Sequence, residues 1–143
     1  MKKILFAAAI CCLALSAVSC NKAIPFEALP QSAKDFVKDN FPEMTVPFVK
    51  AEIFEYEMRL IDGTEIEFNR KGEWTKVEME HSVLPESIID ALPEPIGKYL
   101  ESTFPGVPLE KVSRGFMHSY ELELVNDIEL KFNSEGVLKS ASF

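Results

Sequence analysis

Cysteine is scarce in this chain, and two of its three cysteines lie in an N-terminal stretch that export would remove. Cys11 and Cys12 belong to that stretch, and Cys20 is the first residue after it. An exported domain without a disulfide has to rely on its hydrophobic core for stability. With Cys20 acylated, no free thiol is left. That excludes thiol oxidoreductases, cysteine hydrolases and thiolate metal sites.

Basic residues are also few: 15 lysines and arginines stand against 23 aspartates and glutamates, for a net charge of −8. This balance argues against nucleic acid and against anionic membrane surfaces as partners, because both require basic patches. The two histidines, His81 and His118, have neither the spacing of a metal-binding pair nor that of a catalytic set with a nucleophile. We therefore predict no catalytic residues, no metal, no cofactor and no enzymatic activity.

The N-terminus has the form of a secretory signal peptide. Two lysines precede an apolar run of about fifteen residues, which is shorter than the roughly 20 residues that a membrane-spanning helix needs. The segment Ala17-Val18-Ser19-Cys20 resembles a bacterial lipobox, and ordinary cleavage at a small-x-small site is the alternative. We expect residues 1–19 to be removed and Cys20 to be lipidated. The protein would then be periplasmic, with membrane contact only through the lipid anchor.

The rest of the chain contains the same sequence pattern twice. Residues 28–42 align with residues 91–105 at an offset of 63, and both segments begin with Ala-Leu-Pro and end with Phe-Pro. Residues 56–72 align with residues 120–136 at an offset of 64, and both contain Tyr-Glu-x-x-Leu followed by Glu-x-x-Phe-Asn-x-x-Gly. Recurrence of identity and order over two long segments is typical of an internal repeat.

We predict that residues 20–80 and 81–143 form two repeats, each with a helix followed by an antiparallel meander of about four strands. In both, apolar residues at i, i+3, i+4 and i+8 form the stripe of a helix that begins at Pro30 or Pro93 and ends before a Phe-Pro proline. Residues 85–92 indicate a further short helix, and residues 24–29 a weaker counterpart.

Beyond each helix, apolar residues alternate with charged ones, which predicts an antiparallel sheet with one covered and one wet face. Asp62-Gly63 indicates a two-residue hairpin. The fold class is therefore α+β, with the helices packed on one sheet face. The positions predicted to face inward in the first repeat are Val49, Ala51, Ile53, Tyr56, Met58, Leu60, Thr64, Ile66 and Phe68.

The Leu-Pro, Phe-Pro, Tyr-Glu-x-x-Leu and Asn-x-x-Gly motifs together resemble the PepSY-like periplasmic proteins of gut Bacteroidetes. The resemblance covers nearly all of residues 24–143 and implies a fold like that of the beta-lactamase-inhibitor protein, with two tandem helix-plus-sheet units. It implies no catalytic residues, and it suggests inhibition of a secreted peptidase or a similar enzyme by analogy of fold alone. The second repeat departs from the first at Asp127, which replaces Gly63, and at Leu138, which replaces Trp74.

Aromatic residues near strand ends are the best candidates for a binding surface. Phe54 interrupts the inward register beside Ile53, and Trp74 and Phe116 lie near turns. His118, in a predicted strand beside Phe116, joins this candidate set. Exposed aromatics above an acidic rim would form an anchor-and-rim interface with a protein partner such as an envelope or secreted enzyme. The alternative is that these rings pack in the core.

The abundant glutamates have a simpler explanation than catalysis or metal binding. Glutamates two residues apart lie on the same wet sheet face, where they discourage edge-to-edge pairing. The Asn-x-x-Gly turns lack the spaced carboxylates of a calcium loop. We therefore predict a non-enzymatic exported lipoprotein that binds a partner through its sheet face. The alternative is a periplasmic protein that binds a small ligand or a divalent cation through its carboxylates.

Overall fold

A computed structural model describes residues 22–143, in which strands and helices alternate in an α+β arrangement. The predicted signal peptide and Cys20 lie outside these residues. Three helices are present in the described part: α1 (Gln31–Asn40), α2 (Glu86–Asp90) and α3 (Glu94–Thr103). The strands are β1 (Lys22–Ile24), β2 (Val49–Ala51), β3 (Glu55–Arg59), β4 (Glu65–Asn69), β5 (Trp74–Glu78), β6 (Leu109–Arg114), β7 (Tyr120–Leu124), β8 (Glu129–Phe132) and β9 (Leu138–Ser142).

The strands of residues 22–143 form one nine-stranded antiparallel sheet in which every strand pairs with its neighbour in sequence. The two halves of the chain join at β5 and β6, where Val77 lies opposite Val112 and Glu78 opposite Lys111. The expected α+β class and antiparallel sheet are therefore confirmed, with the meanders side by side in a single sheet. None of the helices in this described part is long and apolar enough to cross a bilayer.

The inward face of the sheet and the two longer helices enclose the core. Val49, Met58, Ile66 and Phe68 are fully buried, as their alternation predicts, and the second half buries Val112, Leu122, Leu130 and Phe132 in the same way. Helix α1 contributes Ala33 and Val37 and also brings the Phe36 ring to 5.7 Å from that of Phe68. Helix α3 places the Tyr99 ring 5.5 Å from that of Phe132. One face of the sheet is therefore covered by helices.

Each long helix begins immediately after a Leu-Pro and rests on a glycine turn. Pro30 and Pro93 lie at the N-cap, one residue earlier than predicted. A Cβ atom on Gly72 would overlap Ser32 Oγ and lie 2.7 Å from Pro30 Cβ, so the β4–β5 turn touches the start of α1. In the second half, the Gly136 turn touches the start of α3 in a similar way. In both halves the glycine of the Asn-x-x-Gly motif thus lies against the first turn of the helix that follows Leu-Pro.

The Asp62-Gly63 hairpin differs from the two-residue turn that was predicted. Leu60 N donates to Thr64 O, and Gly63 N donates to Leu60 O, so three residues form the loop. Gly63 adopts a positive φ of 91°, the position that a type I turn followed by a bulge requires. The loop between β7 and β8 has the same bonds, with Asp127 at a φ of 63°. A strained residue therefore replaces glycine in the second half.

Two further predictions in the first half need correction. Residues 24–29 were expected to form a weak counterpart of the short helix, and a 3₁₀ helix is present at Phe26–Ala28, but Ile24 belongs to β1 (Lys22–Ile24), an edge strand paired with β2 that was not predicted. Ile53 was expected to face inward, but it is exposed because β2 ends at Ala51 and Ile53 lies in the loop to β3. The alternation of apolar and charged residues does not show that β2 ends at Ala51, two residues before Ile53.

Candidate functional site

The open face of the sheet carries charged side chains that pair across the strands. The paired carboxylates predicted on the wet face are there, and lysines lie between them. Lys76 Nζ lies 2.8 Å from Glu78, 3.2 Å from Glu65 and 3.5 Å from Glu67. Lys111 continues the network from Glu78 to Glu123. The outer face is therefore a lattice of compensated charges rather than a purely acidic surface.

The pKa values of this lattice follow from its contacts. Hydrogen bonding to Lys76 lowers the pKa of Glu78 below its usual range, against the opposing effect of burial. Burial alone would lower the pKa of Lys76, but its bonds to Glu78 and Glu67 outweigh that effect and raise it. Burial, followed by the charges of neighbouring glutamates, raises the pKa of Glu55. The Lys76–Glu78 contact thus favours the charged form of both groups, which suits recognition better than proton transfer.

Two hairpin tips project apolar side chains from the same end of the sheet. The β2–β3 tip consists of Ile53 and Phe54, which are 66% and 81% exposed, and it is closed by a bond from Glu52 N to Glu55 O. The β6–β7 tip contains Phe116 and Met117, which are 90% and 74% exposed. Because all neighbouring strands are antiparallel, both tips lie at one end of the meander. Phe54 and Phe116 are thus accessible, as partner contact requires.

The β6–β7 tip is held in an unusual backbone conformation. Met117 and His118 both have positive φ angles, 56° and 58°, although neither is glycine. Such conformations are costly for residues with a side chain and tend to occur at functional sites. A bond from Gly115 N to Ser119 O closes the loop, and Ser119 Oγ donates to Phe116 O. His118, predicted in a strand, therefore lies in this exposed turn at Phe116–His118.

A groove of about 390 Å³ opens beside the β6–β7 tip. Phe116, Met117 and Tyr120 form its apolar wall, while Lys131 and Lys139 place amino groups along it. The remaining lining residues come from the tip itself, from β7, from the end of β8 and from the β8–β9 turn, so the groove reaches the edge of the outer face. We call Phe116, Met117 and this groove the tip-and-groove surface.

Trp74 does not belong to an exposed surface, because only 7% of it is accessible. Its ring stacks on that of Phe36 at 6.0 Å, and the Arg114 guanidinium lies over the ring, 3.7 Å from its centre. Its candidacy for partner contact is therefore wrong, and the alternative of core packing is correct. Burial lowers the pKa of Arg114, whose Nε atom has no hydrogen-bond partner in the described part. The sequence gives no sign of this Trp–Arg stack across β5 and β6.

Three carboxylates converge at the opposite end of the sheet. Oxygens of Glu110, Glu123 and Asp127 lie within 4.8 Å of one another, at β6, β7 and the turn after β7. A register shift between Leu109 and Lys111 accompanies this arrangement, and such irregularities cannot be read from the sequence. Lys111 Nζ lies 3.6 Å from Glu123 and already compensates part of the charge. The cluster has the ligand type that a hard divalent cation prefers.

A sequence model described as "Putative beta-lactamase-inhibitor-like, PepSY-like" matches residues 17–60 and residues 54–140. Together the two matches cover most of the chain. The chain belongs to the PepSY-like family. No curated protein matches it.

Solved structures of three similar proteins have the same fold. A "putative periplasmic protein" from Bacteroides vulgatus is 30% identical, with a TM-score of 0.79 over 88% of this chain and 99% of that protein. A "putative periplasmic protein of unknown function" from the same organism is 29% identical, with a TM-score of 0.77 over 86% and 99%. A "putative calcium-regulated periplasmic protein" from Bacteroides thetaiotaomicron is 31% identical, with a TM-score of 0.77 over 86% and 97%.

The glycine turns of this PepSY-like chain serve its fold, because each one touches the start of a helix. The β8–β9 turn has a second role, since Asn133 and Ser134 of its Asn-x-x-Gly motif also line the groove. The carboxylate cluster lies away from both motifs. The tip-and-groove surface offers rigid apolar anchors beside a concavity, which is the arrangement of a binding site.

Proposed function

We propose that this protein is an exported, lipid-anchored binding module without enzymatic activity, whose partner is an envelope or secreted enzyme. The predicted lipobox at Cys20 and the periplasmic names of its relatives support export. The family description, beta-lactamase-inhibitor-like, supports a partner that is an enzyme. The partner would contact the tip-and-groove surface and the neighbouring edge of the outer sheet face.

The single observation that carries this proposal is the β6–β7 tip. Phe116 and Met117 are held away from the core by a closed loop with two left-handed residues, so little conformational entropy is lost when a partner covers them. Aromatic side chains in such positions supply much of the energy of protein interfaces. The adjacent groove would accept a side chain of the partner, with Lys139 and Lys131 at its rim.

Site-specific photocrosslinking tests this proposal in the organism's own envelope. A photoreactive amino acid at Phe116 should capture one defined envelope or secreted protein, and the same probe at Phe143, which is equally exposed, should not. Substituting Met117→Ser should reduce the yield from position 116 without changing thermal stability. Equal capture from positions 116 and 143, or none from 116, would contradict the proposal.

An activity assay with the purified partner then tests whether binding inhibits it. Adding the chain at increasing concentration to the captured enzyme should lower its activity, and the variant Phe116→Ser should need a much higher concentration. If the chain binds the enzyme without lowering its activity, the proposal of a binding module stands and the proposal of an inhibitor is wrong.

The two halves of the chain are further proposed to be tandem copies of one unit, over residues 20–80 and 81–143. The helices α1 and α3 begin 63 residues apart, and the paired hairpin turns share their bonding pattern. The domain bounds follow from the sequence alignment alone. Because β5 and β6 pair directly, neither half should fold cooperatively when expressed alone. A half that melts cooperatively by itself would show that the units are independent.

Divalent cation binding is the second candidate function, favoured by the carboxylate cluster Glu110–Glu123–Asp127. The calcium-regulated description of one relative points the same way. Millimolar calcium should then raise the melting temperature, because a ligand of the native state stabilises it. The variant Asp127→Asn should abolish that rise, while Glu129→Gln, outside the cluster, should keep it. An unchanged melting temperature of the wild type would remove this candidate.

A further inference from the structure

The start of β1, the first residue the structure describes, and the β2–β3 tip lie at the same end of the sheet. Lys22 pairs with Ala51 at the start of β1, and Ala51 is the last residue of β2 before the tip. Ile53 is two residues farther along the chain, about 7 Å at the rise of a strand. The chain therefore enters the described structure beside the exposed side chains of Ile53 and Phe54.

The length of chain before Lys22 limits how far this end can stand from the membrane. Cys20 precedes Lys22 by two residues, which span at most about 7 Å. A lipid on Cys20 enters the hydrocarbon layer directly at that residue. A lipid on Cys20 would thus hold the start of β1 at the bilayer surface, and the neighbouring hairpin with it.

We propose that the β2–β3 tip is a second membrane contact, with Ile53 and Phe54 inserted into the interfacial layer beside the anchor. The proposal rests on the lipid anchor of the proposed function, and it revises the prediction that the anchor alone touches the membrane. Apolar and aromatic side chains are suited to the boundary between headgroups and acyl chains. Two contacts on neighbouring strands would fix the orientation of the sheet, which a single flexible tether would not.

The charges around this tip fit a lipid surface without requiring anionic lipid. Lys50 bonds to Glu52 and Glu57, and Arg70 Nη1 donates to Glu52 O while its guanidinium lies over the Tyr56 ring. Lys50 is thus paired with glutamates at the base of the hairpin, and Ile53 and Phe54 extend beyond it. The tip therefore offers apolar side chains without a surplus of basic charge, which fits zwitterionic headgroups.

Depth-dependent fluorescence quenching tests the contact on the full lipidated chain. Cys20 is the only cysteine left after processing, and acylation blocks it, so a new cysteine can be labelled uniquely. The variants Phe54→Cys and Ile53→Cys place an environment-sensitive fluorophore at the tip. The matched control Ile61→Cys places it on an equally exposed apolar position at the other end of β3, about 23 Å away by strand rise.

Each labelled protein is reconstituted into phosphatidylethanolamine–phosphatidylglycerol vesicles with and without lipids brominated in the acyl chains. Bromolipid should quench the labels at positions 53 and 54 about twofold or more and leave the label at position 61 unchanged, as expected for side chains in the interfacial layer. Mass spectrometry of the N-terminal peptide shows in the same samples whether Cys20 is acylated. Circular dichroism melts confirm that the variants fold.

The outcomes separate this contact from the rest of the proposed function. If Cys20 is acylated but neither tip position is quenched, the proposed membrane contact is wrong, while the proposal that the protein is a lipoprotein stands. Equal quenching at positions 54 and 61 would overturn the membrane contact as well, since the protein would then adhere without a preferred orientation. An unmodified Cys20 would remove the anchor and this inference together, while photocrosslinking at Phe116 would still report on the partner.

Discussion

Substituting Gly72→Ala should destabilise the protein more than the same change at Gly63. Both glycines have similar positive φ angles, 84° and 91°, so the backbone cost of adding a Cβ atom is nearly equal. Their surroundings differ. The new Cβ at position 72 would overlap Ser32 Oγ, approach Pro30 Cβ to 2.7 Å and Ala33 N to 3.2 Å, whereas at position 63 it meets nothing within 4 Å.

The expected losses in the free energy of unfolding follow from the backbone strain and from the overpacking around the new Cβ atom. Placing an alanine in the left-handed region costs about 1–2 kcal/mol. Alanine also lowers the conformational entropy of the unfolded chain, which stabilises the folded state by about half a kcal/mol. Gly63→Ala should therefore cost about 1 kcal/mol. Overpacking adds about 1–3 kcal/mol, because Pro30 Cβ and Ala33 N belong to the helix start and cannot move aside, even if the Ser32 hydroxyl rotates away. Gly72→Ala should therefore cost about 2–4 kcal/mol.

Urea unfolding followed by tryptophan fluorescence measures both variants directly. Trp74 is the only tryptophan, and its stacking on Phe36 makes its emission sensitive to the docking of α1. Gly72→Ala should lower the midpoint more than Gly63→Ala and also change the native emission, since α1 must shift. If the two variants lose equal stability, the contact between the turn and the start of the helix does not contribute to stability as argued here.

Three further predictions concern stability. Trp74→Ala should cost about 3–5 kcal/mol in a thermal or urea melt, as expected for a core aromatic, and a cost under about 1 kcal/mol would place the ring at the surface. Asp127→Gly should raise the melting temperature by relieving the positive φ, and an unchanged or lower value would contradict strain at that turn. The pKa of Glu78 is lowered in the folded state, so its stabilisation is present above the ordinary glutamate pKa and is lost as the pH falls through the folded value. Between about pH 5 and pH 3, Glu78→Gln should therefore lose less stability than wild type, and equal loss would show that its bond to Lys76 does not matter.

Local patterns in the sequence were sufficient for the two long helices and for most of the strands. Ala33 and Val37 lie on the buried stripe of α1, and Ile66 and Phe68 face the core, because the helical and strand periods are properties of neighbouring residues. The positive φ at Gly72 was likewise predictable, since the Asn-x-x-Gly turn places glycine at the left-handed position. These features depend on short stretches of chain and need no knowledge of the tertiary structure.

The candidate surfaces depended on where strands end and which strands become neighbours. The alternation of apolar and charged residues correctly predicted that Tyr56 is buried. It wrongly predicted that Ile53 faces inward, because the pattern does not mark the end of β2. Trp74 could be assigned to the core only after α1 had brought Phe36 over it. The cluster around Asp127 requires β6 and β7 to pair with a register shift. Such placements arise from tertiary contacts between residues far apart in sequence.

The dimensions of the sheet allow the membrane contact and the partner contact to operate together. Nine strands at a spacing of about 4.8 Å place β1 and β9 about 38 Å apart, and the groove beside Phe116 lies toward the β9 side. Strands also twist by about 20–25° each, so over four strands the β6–β7 tip turns about 80–100° away from the direction of the β2–β3 tip. If Ile53 and Phe54 face the bilayer, Phe116 and Met117 face sideways into the periplasm at a distance from it. A soluble enzyme could then reach the tip-and-groove surface without crowding against the lipid. The two hairpins, alike in exposure and at the same end of the meander, would thus serve different partners because of their places in a twisted sheet.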